Sequence, residues 1–352
     1  MPFLPLSIQH LKQYLLMNLN QFILKASGLL AGIILLTSCG ERSPLLPNVT
    51  GRAGEVVLVM NAPLWESESG RVLGGILASE HPGLMQYEPM FDLVRIGHAA
   101  FSNIFKTHRN IVIVNVSGNY QNTQMSIRND AWAKPQTIIE ISARDTESLL
   151  SFVYNQGDRI LEELVRAERK RILAYNREME LTSIRRHLSD RFDISLTVPR
   201  GYNIIVDTTD FIWIRHDPRR ITRDIIQGIF VYQYDYTDPQ TFTPGYLVGK
   251  RDEILKRYVD GPSPRSWMAT ETIVFPNFSE FMENDRYIAR LEGLWKVEND
   301  FMGGPFVSHT TLDEERNKIV TVEAFVYAPG DKKRNLLRQV EAILHTLEIE
   351  EQ

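Results

Sequence analysis

The sequence predicts an α+β protein: a smaller N-terminal sheet-and-helix unit that ends in a long helix, followed by a mostly antiparallel sheet flanked by helices. Three observations carry this reading. Residues 55–142 alternate short apolar runs with helical spacings, residues 146–188 hold a long amphipathic stripe, and from Phe192 onward strand-like runs succeed one another across turn residues. At 352 residues the chain exceeds the length at which one core usually stops growing, so two packed units, 54–190 and 191–352, are expected.

The elements follow in order. Glu55 to Met60 (EVVLVM) is a short apolar run bounded by Gly54 and Asn61-Ala62-Pro63, which suits a buried strand. Gly70 to Ser79 places Val72, Ile76 and Leu77 at helical spacing before His81-Pro82-Gly83 ends the helix. Met90 to Ile96 reads as a second strand, and Ala99 to Lys106 as a short helix with Phe101, Ile104 and Phe105 turned inward. Ile111 to Val116 and Gln136 to Ser142 are further buried strands, and Asp145 is placed to cap the next helix. That helix is expected from about Thr146 to about Leu188, with an interruption at Gly157 and a stripe of Leu161, Leu164, Val165, Ile172, Tyr175 and Met179. Its opposite face mixes charges such as Arg166, Arg169, Arg171, Glu163 and Glu168, the pattern of a solvated surface.

The second unit begins with strands at Ile194 to Val198, Asn203 to Val206, Phe211 to Arg215 and Ile225 to Tyr234. Tyr246 to Val259 reads as a helix. Trp267 to Phe275, Tyr287 to Val297, Phe306 to Thr311 and Lys318 to Tyr327 complete the sheet, and Asp331 to Leu347 closes the chain as an amphipathic helix.

The amino terminus carries an address. Lys25 precedes an apolar stretch, Ala26 to Leu36, followed directly by Thr37, Ser38 and Cys39, which is the order of a secretion signal spanning residues 1–38. A helix crossing a bilayer needs about 20 residues, so this short stretch is not expected to span one. The tetrad Leu36-Thr37-Ser38-Cys39 resembles the lipobox of bacterial lipoproteins, in which the cysteine thiol takes lipid before the signal is cleaved. Cys39 is the only cysteine in the chain, so the body has no disulfide and Cys39 stands where lipidation requires it. The expected partner is therefore a membrane, reached through lipid on Cys39. Met17 is the expected start codon, and residues 39–53, rich in proline and glycine, are expected to form a flexible tether. Gly40 rather than aspartate follows Cys39, which by analogy with inner-membrane retention rules points to the outer membrane. Without Lys12 and Lys25 the formal charge of −5 becomes −5 − 2 = −7, which gives no attraction for nucleic acid.

Motifs that specify a reaction are missing. No pair of histidines four apart encloses a glutamate, and neither G-x-S-x-G nor G-x-G-x-x-G occurs. Gly245 to Arg251 (GYLVGKR) is one residue too short for a phosphate loop and carries Arg251 where a magnesium ligand belongs. Neither a metal site nor a cofactor is expected, and no catalytic residue is assigned. Candidate binding residues are His108, Arg109 and Asn110 at the start of a buried strand, where an arginine can clamp an anion, although cations there also suit a helix C-terminus. Asp300, Phe301 and Met302 lie in the turn Asn299 to Pro305, where phenylalanine and methionine are unusual. Trp65 and Glu88 complete the set. The leading expectation is a non-catalytic binding or assembly module for an envelope protein or polymer; the rival is an envelope hydrolase of glycan, peptide or lipid with His108, Arg109, Glu88 or Asp300 in one cleft.

Several segments together carry a resemblance. They are Gly51-x-Ala53-Gly54-Glu55-Val56-Val57-Leu58-Val59 after the lipobox, Trp65, Gln86-x-Glu88-Pro89-x-Phe91-Asp92 and His108-Arg109-Asn110-Ile111. Phe211-Ile212-Trp213-Ile214-Arg215 and Gly293-Leu294-Trp295 with Asp300 to Phe306 belong to the same set. With them the chain resembles an uncharacterised family of Bacteroidota lipoproteins, a domain of unknown function, which implies an envelope location and no activity. The order of elements in 192–350 also looks like a Mog1/PsbP-type sandwich, an analogy of fold that implies nothing about chemistry.

Overall fold

The computed structural model describes residues 45–218 and 224–350; the signal segment, Met17 and Cys39 lie outside the described residues. The fold is α+β, with seven α-helices and two large sheets among those residues. None of these helices is long and apolar enough to cross a membrane.

The N-terminal sheet contains β1 (Glu55–Val59), β2 (Asp92–Ile96), β3 (Asn110–Val116), β4 (Gln124–Asn129) and β5 (Thr137–Ala143), in the order β2-β1-β3-β5-β4. All but β4 run parallel to their neighbours. Continuous apolar sequence in β1 and β3 reflects burial on both faces. Val56 and Leu58 face one core cluster, and Val57 and Val59 face the other. The edge strand β4 was not expected from the sequence, because most of its side chains are exposed and give no apolar alternation.

Helices α1 (Ala62–Glu66), α2 (Glu68–Leu77) and α4 (Thr146–Glu178) cover one face, while α3 (Asn103–Lys106) lies in the segment before β3. The helix expected over 99–106 is split into a 3₁₀ turn at His98–Ala100 and α3, and Ile104 is exposed rather than turned inward. Asp145 caps α4 as expected, accepting from the Ser148 amide at 2.8 Å. The helix is not interrupted at Gly157. A Cβ there would stand 2.4 Å from Ile76 Cδ1, so the glycine lets α2 approach α4. The break falls later, at Met179 to Leu181, and α5 (Thr182–Phe192) follows. The buried stripe of α4 runs through Leu149, Val153, Ile160 and Leu164, whereas Tyr175 is exposed. Residues 47–50, read as part of the tether, are bonded to the body: Lys134 N donates to Pro47 O at 2.8 Å and Thr50 N to Thr107 O at 2.8 Å.

Downstream of β6 (Ile194–Ser195), the second sheet comprises β7 (Tyr202–Asp207), β8 (Phe211–His216), β9 (Ile226–Asp235), β10 (Trp267–Thr270), β11 (Asn277–Glu283), β12 (Arg286–Glu298), β13 (Gly303–Asp313) and β14 (Lys318–Tyr327). Its order is β10-β12-β13-β14-β9-β8-β7, with β11 also paired to β12, and its pairings are antiparallel. The strand expected over 194–198 shrinks to β6, which pairs with β15 (Glu348–Ile349). One face packs against α5 and α7 (Arg334–Leu344) through Ile212, Val231, Val320 and Leu337. The other packs against α6 (Pro244–Tyr258) through Phe230, Trp295, Phe306 and Phe325. Gly245 to Arg251, which the sequence denied a phosphate role, lies within α6.

Within the α6 face Arg251 and Glu323 form a buried bidentate pair, with Nε–Oε2 and Nη2–Oε1 both 2.8 Å. Thr270 Oγ1 accepts a third bond from Arg251, and the guanidinium lies 3.9 Å from the Phe306 ring centroid. Removing one partner leaves a buried charge unmatched. Arg251→Met should therefore destabilise the protein by about 3–5 kcal/mol in urea unfolding. The double replacement Arg251→Met with Glu323→Leu should recover most of that loss, and equal losses in the single and double variants would contradict the account.

Candidate functional site

The residues singled out by sequence separate into three places. His108, Arg109 and Asn110 lie where β3 meets α4. His108 Nε2 is 3.4 Å from Glu55 Oε2, and burial lowers the pKa of its imidazole. Gly51, with φ of +85°, leaves room for that ring, since a Cβ would meet it at 2.1 Å. Arg109 Nε stands 3.0 Å from Glu168 Oε1, and Asn110 Nδ2 donates to the same oxygen at 2.6 Å. Arg171 Nη1 donates to Glu168 Oε1 at 3.1 Å and to Asn110 Oδ1 at 2.9 Å. Glu168 is thus a buried hub and not part of a solvated face, because Arg109, just before β3, and Arg171, on α4 itself, supply its counter-charges. Trp65 is partly buried against the N-terminal core, with Arg95 stacked 3.8 Å above its ring.

Glu88, Asp300, Phe301 and Met302 come together in a second place, a cleft of about 440 Å³. Glu88 is buried and accepts from the backbone amides of Lys333 at 2.6 Å and Arg334 at 3.1 Å, capping the start of α7. The turn joining β12 to β13 presents Phe301 fully exposed. Beneath it Met302 packs on the α6 core. Asp300 accepts from Ser263 Oγ and, at 2.6 Å, from the Phe301 amide, and Asn299 Nδ2 donates to Arg265 O at 3.0 Å. Across the cleft stands Met85, also exposed, over a floor that includes Trp295 and Tyr327.

A third place was missed by sequence reasoning. A polar cavity of about 490 Å³ lies among α4, α7, β11, β12 and the His81 segment. Its walls carry Arg169, Arg290 and Arg338 against Glu283, Glu292 and Glu341, with His81 and His345 beside them. Arg290 bonds Glu292 and Glu341, each at 2.8 Å. Burial opposes ionisation of Glu341, but the Arg290 guanidinium outweighs it and holds that carboxyl well below the usual range. Burial also lowers Arg338, to about 10, and lowers His81, with help from Arg338, to about 4. Several buried polar atoms here have no hydrogen-bond partner: Arg338 Nη1, Glu292 Oε1, His345 Nε2 and, behind the wall, both ring nitrogens of His309. Glu283, His309 and His345 place donor atoms within 4.8 Å of one another, so the donors of a metal site are present where the sequence gave reason to expect none. Their separation in the chain explains the omission, since only the fold juxtaposes positions 283, 309 and 345.

Two family models match separate parts of the chain. Residues 181–346 match a family described as a domain of unknown function (DUF4837), and residues 49–176 match a second described in the same way (DUF8532). The interval between them coincides with the end of α4. No curated protein matches the chain. Among solved structures, LpqN, involved in cell envelope biogenesis of Mycobacterium tuberculosis, is similar at 12% identity over 45% of this chain and 83% of LpqN, with a TM-score of 0.28. A mutant of the protein Mog1 is similar at 9% identity over 45% of this chain and 90% of Mog1, with a TM-score of 0.25.

The buried His81 gives the cavity a pH dependence of known sign. Its folded pKa of about 4 lies below the value of 6.5 that it recovers on unfolding, so the folded state prefers the neutral ring. Stability from this group is complete above pH 6.5 and is lost as the pH falls toward 4. His81→Gln should flatten the decline in unfolding free energy between those limits by roughly 2–3 kcal/mol. Parallel pH profiles of wild type and variant would contradict this assignment.

Proposed function

We propose that the chain is a lipid-anchored cell-envelope protein, acylated at Cys39 and held at the outer membrane of a Bacteroidota cell. In this reading its body is a non-catalytic binding module that docks an apolar segment of an envelope protein beside Phe301. The observation that carries the docking reading is the full exposure of Phe301 on a clamped turn. Burying a phenylalanine side chain is worth about 1.5–3 kcal/mol, and this ring leaves that contribution to an incoming surface. Hydrogen bonds to Asp300 and from Asn299, with the packing of Met302, hold the turn in place, so little ordering entropy would be lost on binding. Met85 faces the same cleft with an adaptable thioether side chain, and Trp295 and Tyr327 supply the aromatic floor common at interaction hot spots. The anchor rests on the lipobox-like tetrad and the position of the single cysteine.

The hydrolase alternative has less support in its original form. Glu88 and Asp300 flank one cleft, but Glu88 is committed to the α7 cap, while His108 and Arg109 are committed to Glu55 and Glu168.

A photo-crosslinking residue in place of Phe301 or Met85 should yield a discrete protein adduct in intact cells, and one in place of the exposed Tyr154 on α4 should not. Equal adducts from all three positions, or phospholipid adducts alone at 301 and 85, would defeat the docking assignment. For the anchor, labelled palmitate should enter the wild-type protein and be absent from Cys39→Ala. Unlabelled wild type would remove the lipid from the proposal.

A further inference from the structure

His309 lies on β13 and is 1% exposed, yet neither ring nitrogen has a hydrogen-bond partner. An imidazole always carries at least one N–H donor or lone-pair acceptor on each nitrogen. Burying both without partners costs about 1–3 kcal/mol for each group left unsatisfied, and native folds rarely retain such a cost without a compensating role. The ring of His345, just after α7, stands 4.8 Å from that of His309 at 79°. His345 Nε2 is also unpartnered, and its Nδ1 lies 2.8 and 2.9 Å from the two oxygens of Glu283 on β11. Phe281 closes the apolar side, with its centroid 5.4 Å from that of His309.

We propose that Glu283, His309 and His345 form a three-ligand site for a divalent transition metal of the zinc class, open toward the polar cavity at its fourth position. Two imidazoles and one carboxylate are a donor set suited to zinc, and three protein ligands leave one position for water or a ligand. Arms of about 2.0–2.1 Å arranged as a tetrahedron set donor atoms roughly 3.4 Å apart. The donors here span at most 4.8 Å, so a shift of roughly 1.4 Å closes the set. Glu283 is only partly buried and can supply much of that movement.

The surrounding charges set the terms of binding. Glu341 lies four residues before His345 and shares its face of α7, adding a second carboxylate near the imidazoles. Against this, Arg169 Nη1 stands 3.3 Å from His345 Nδ1 and 4.0 Å from Glu283 Oε1, so its guanidinium competes with an incoming cation. Its side chain is one-third exposed and has solvent to move into. Metal binding in this arrangement displaces Arg169 from Glu283. This site is independent of docking at Phe301, and its failure would leave that reading intact.

The test uses the untagged full-length protein purified in detergent. Zinc competition against a chromophoric chelator should show one ion per chain, and cobalt(II) should give the visible absorption of a four-coordinate site. Glu283→Gln should weaken zinc tenfold or more, His309→Gln should abolish binding, and Arg169→Met should tighten it several-fold. The opposite responses to Glu283→Gln and Arg169→Met keep the test informative if His309→Gln does not fold. No zinc or cobalt uptake by wild type, or uptake unchanged by both Glu283→Gln and Arg169→Met, would overturn the proposal.

Discussion

The capping of α7 by Glu88 is the contact on which the arrangement of both candidate sites depends. The N-cap residue of α7 is Lys333, which has no side-chain acceptor for the unpaired amides of the first turn. Glu88 supplies two carboxylate oxygens instead, from a segment that leads into the N-terminal sheet. Hydrogen bonds to a charged group contribute about 1.5–3 kcal/mol, and the helix dipole favours an anion at this end. Arg334 completes the clasp by donating to Pro89 O at 2.6 Å and to Asp92 at 3.0 Å. Once α7 is held there, the spacing of Arg334, Arg338, Glu341 and His345 turns all four toward the same side. The first of them serves the clasp and the other three line the cavity.

A second clasp binds α4 to the N-terminal sheet through Glu168. It shows where the reading of that helix from sequence was incomplete. Alternating acids and bases on one helix face have the pattern of a solvated surface, and for Arg166 and Glu163 they form an exposed i, i+3 pair. Glu168 and Arg171 differ because Arg109 and Asn110, some sixty residues earlier, meet them at the start of β3. Local charge pattern carries no information about such a partner. It was the strand-end triplet itself that hinted at unusual chemistry, and its chemistry is structural.

Much of the fold was legible because burial on two faces produces continuous apolar strands, as in β1 and β3, and because Asp145 could be recognised as a cap. Elements whose stability comes from context were harder to read. β4 and β11 are edge segments with many exposed side chains. For β11 a signal did exist: Asn284 and Asp285, with φ of 50° and 61°, form the two-residue turn that returns the chain into β12. Gly157 misled because a glycine within a helical pattern has two physical explanations, a break or a close neighbour, and only the position of Ile76 decides between them. Among the site residues, Phe301 and Met302 were legible as an anomaly of turn composition. His309 was not, since a histidine set between Ser308 and Thr310 in a strand becomes unusual only when its surroundings prove to be without partners.

The cleft and the cavity lie on two sides of the same pair of segments. Leu84, Met85 and Glu88 border the cleft, while His81 and Met90 border the cavity. On the helix side, Lys333 reaches the cleft and Arg338, Glu341 and His345 reach the cavity. The shared wall is stiff, being fixed by the Glu88 cap and by Arg338, which donates to Met90 O at 2.9 Å and lies 4.8 Å from the Phe91 ring centroid. Occupancy of one site can influence the other only through differential affinity for two positions of this wall, and the influence is then reciprocal. Displacing Arg169 lies outside that wall, on α4, and does not itself move it. Drawing on Arg338 does, because the same guanidinium that faces the cavity holds the backbone of Met90. Any ligand that drew Arg338 away from the Met90 carbonyl would loosen the wall that the cleft shares.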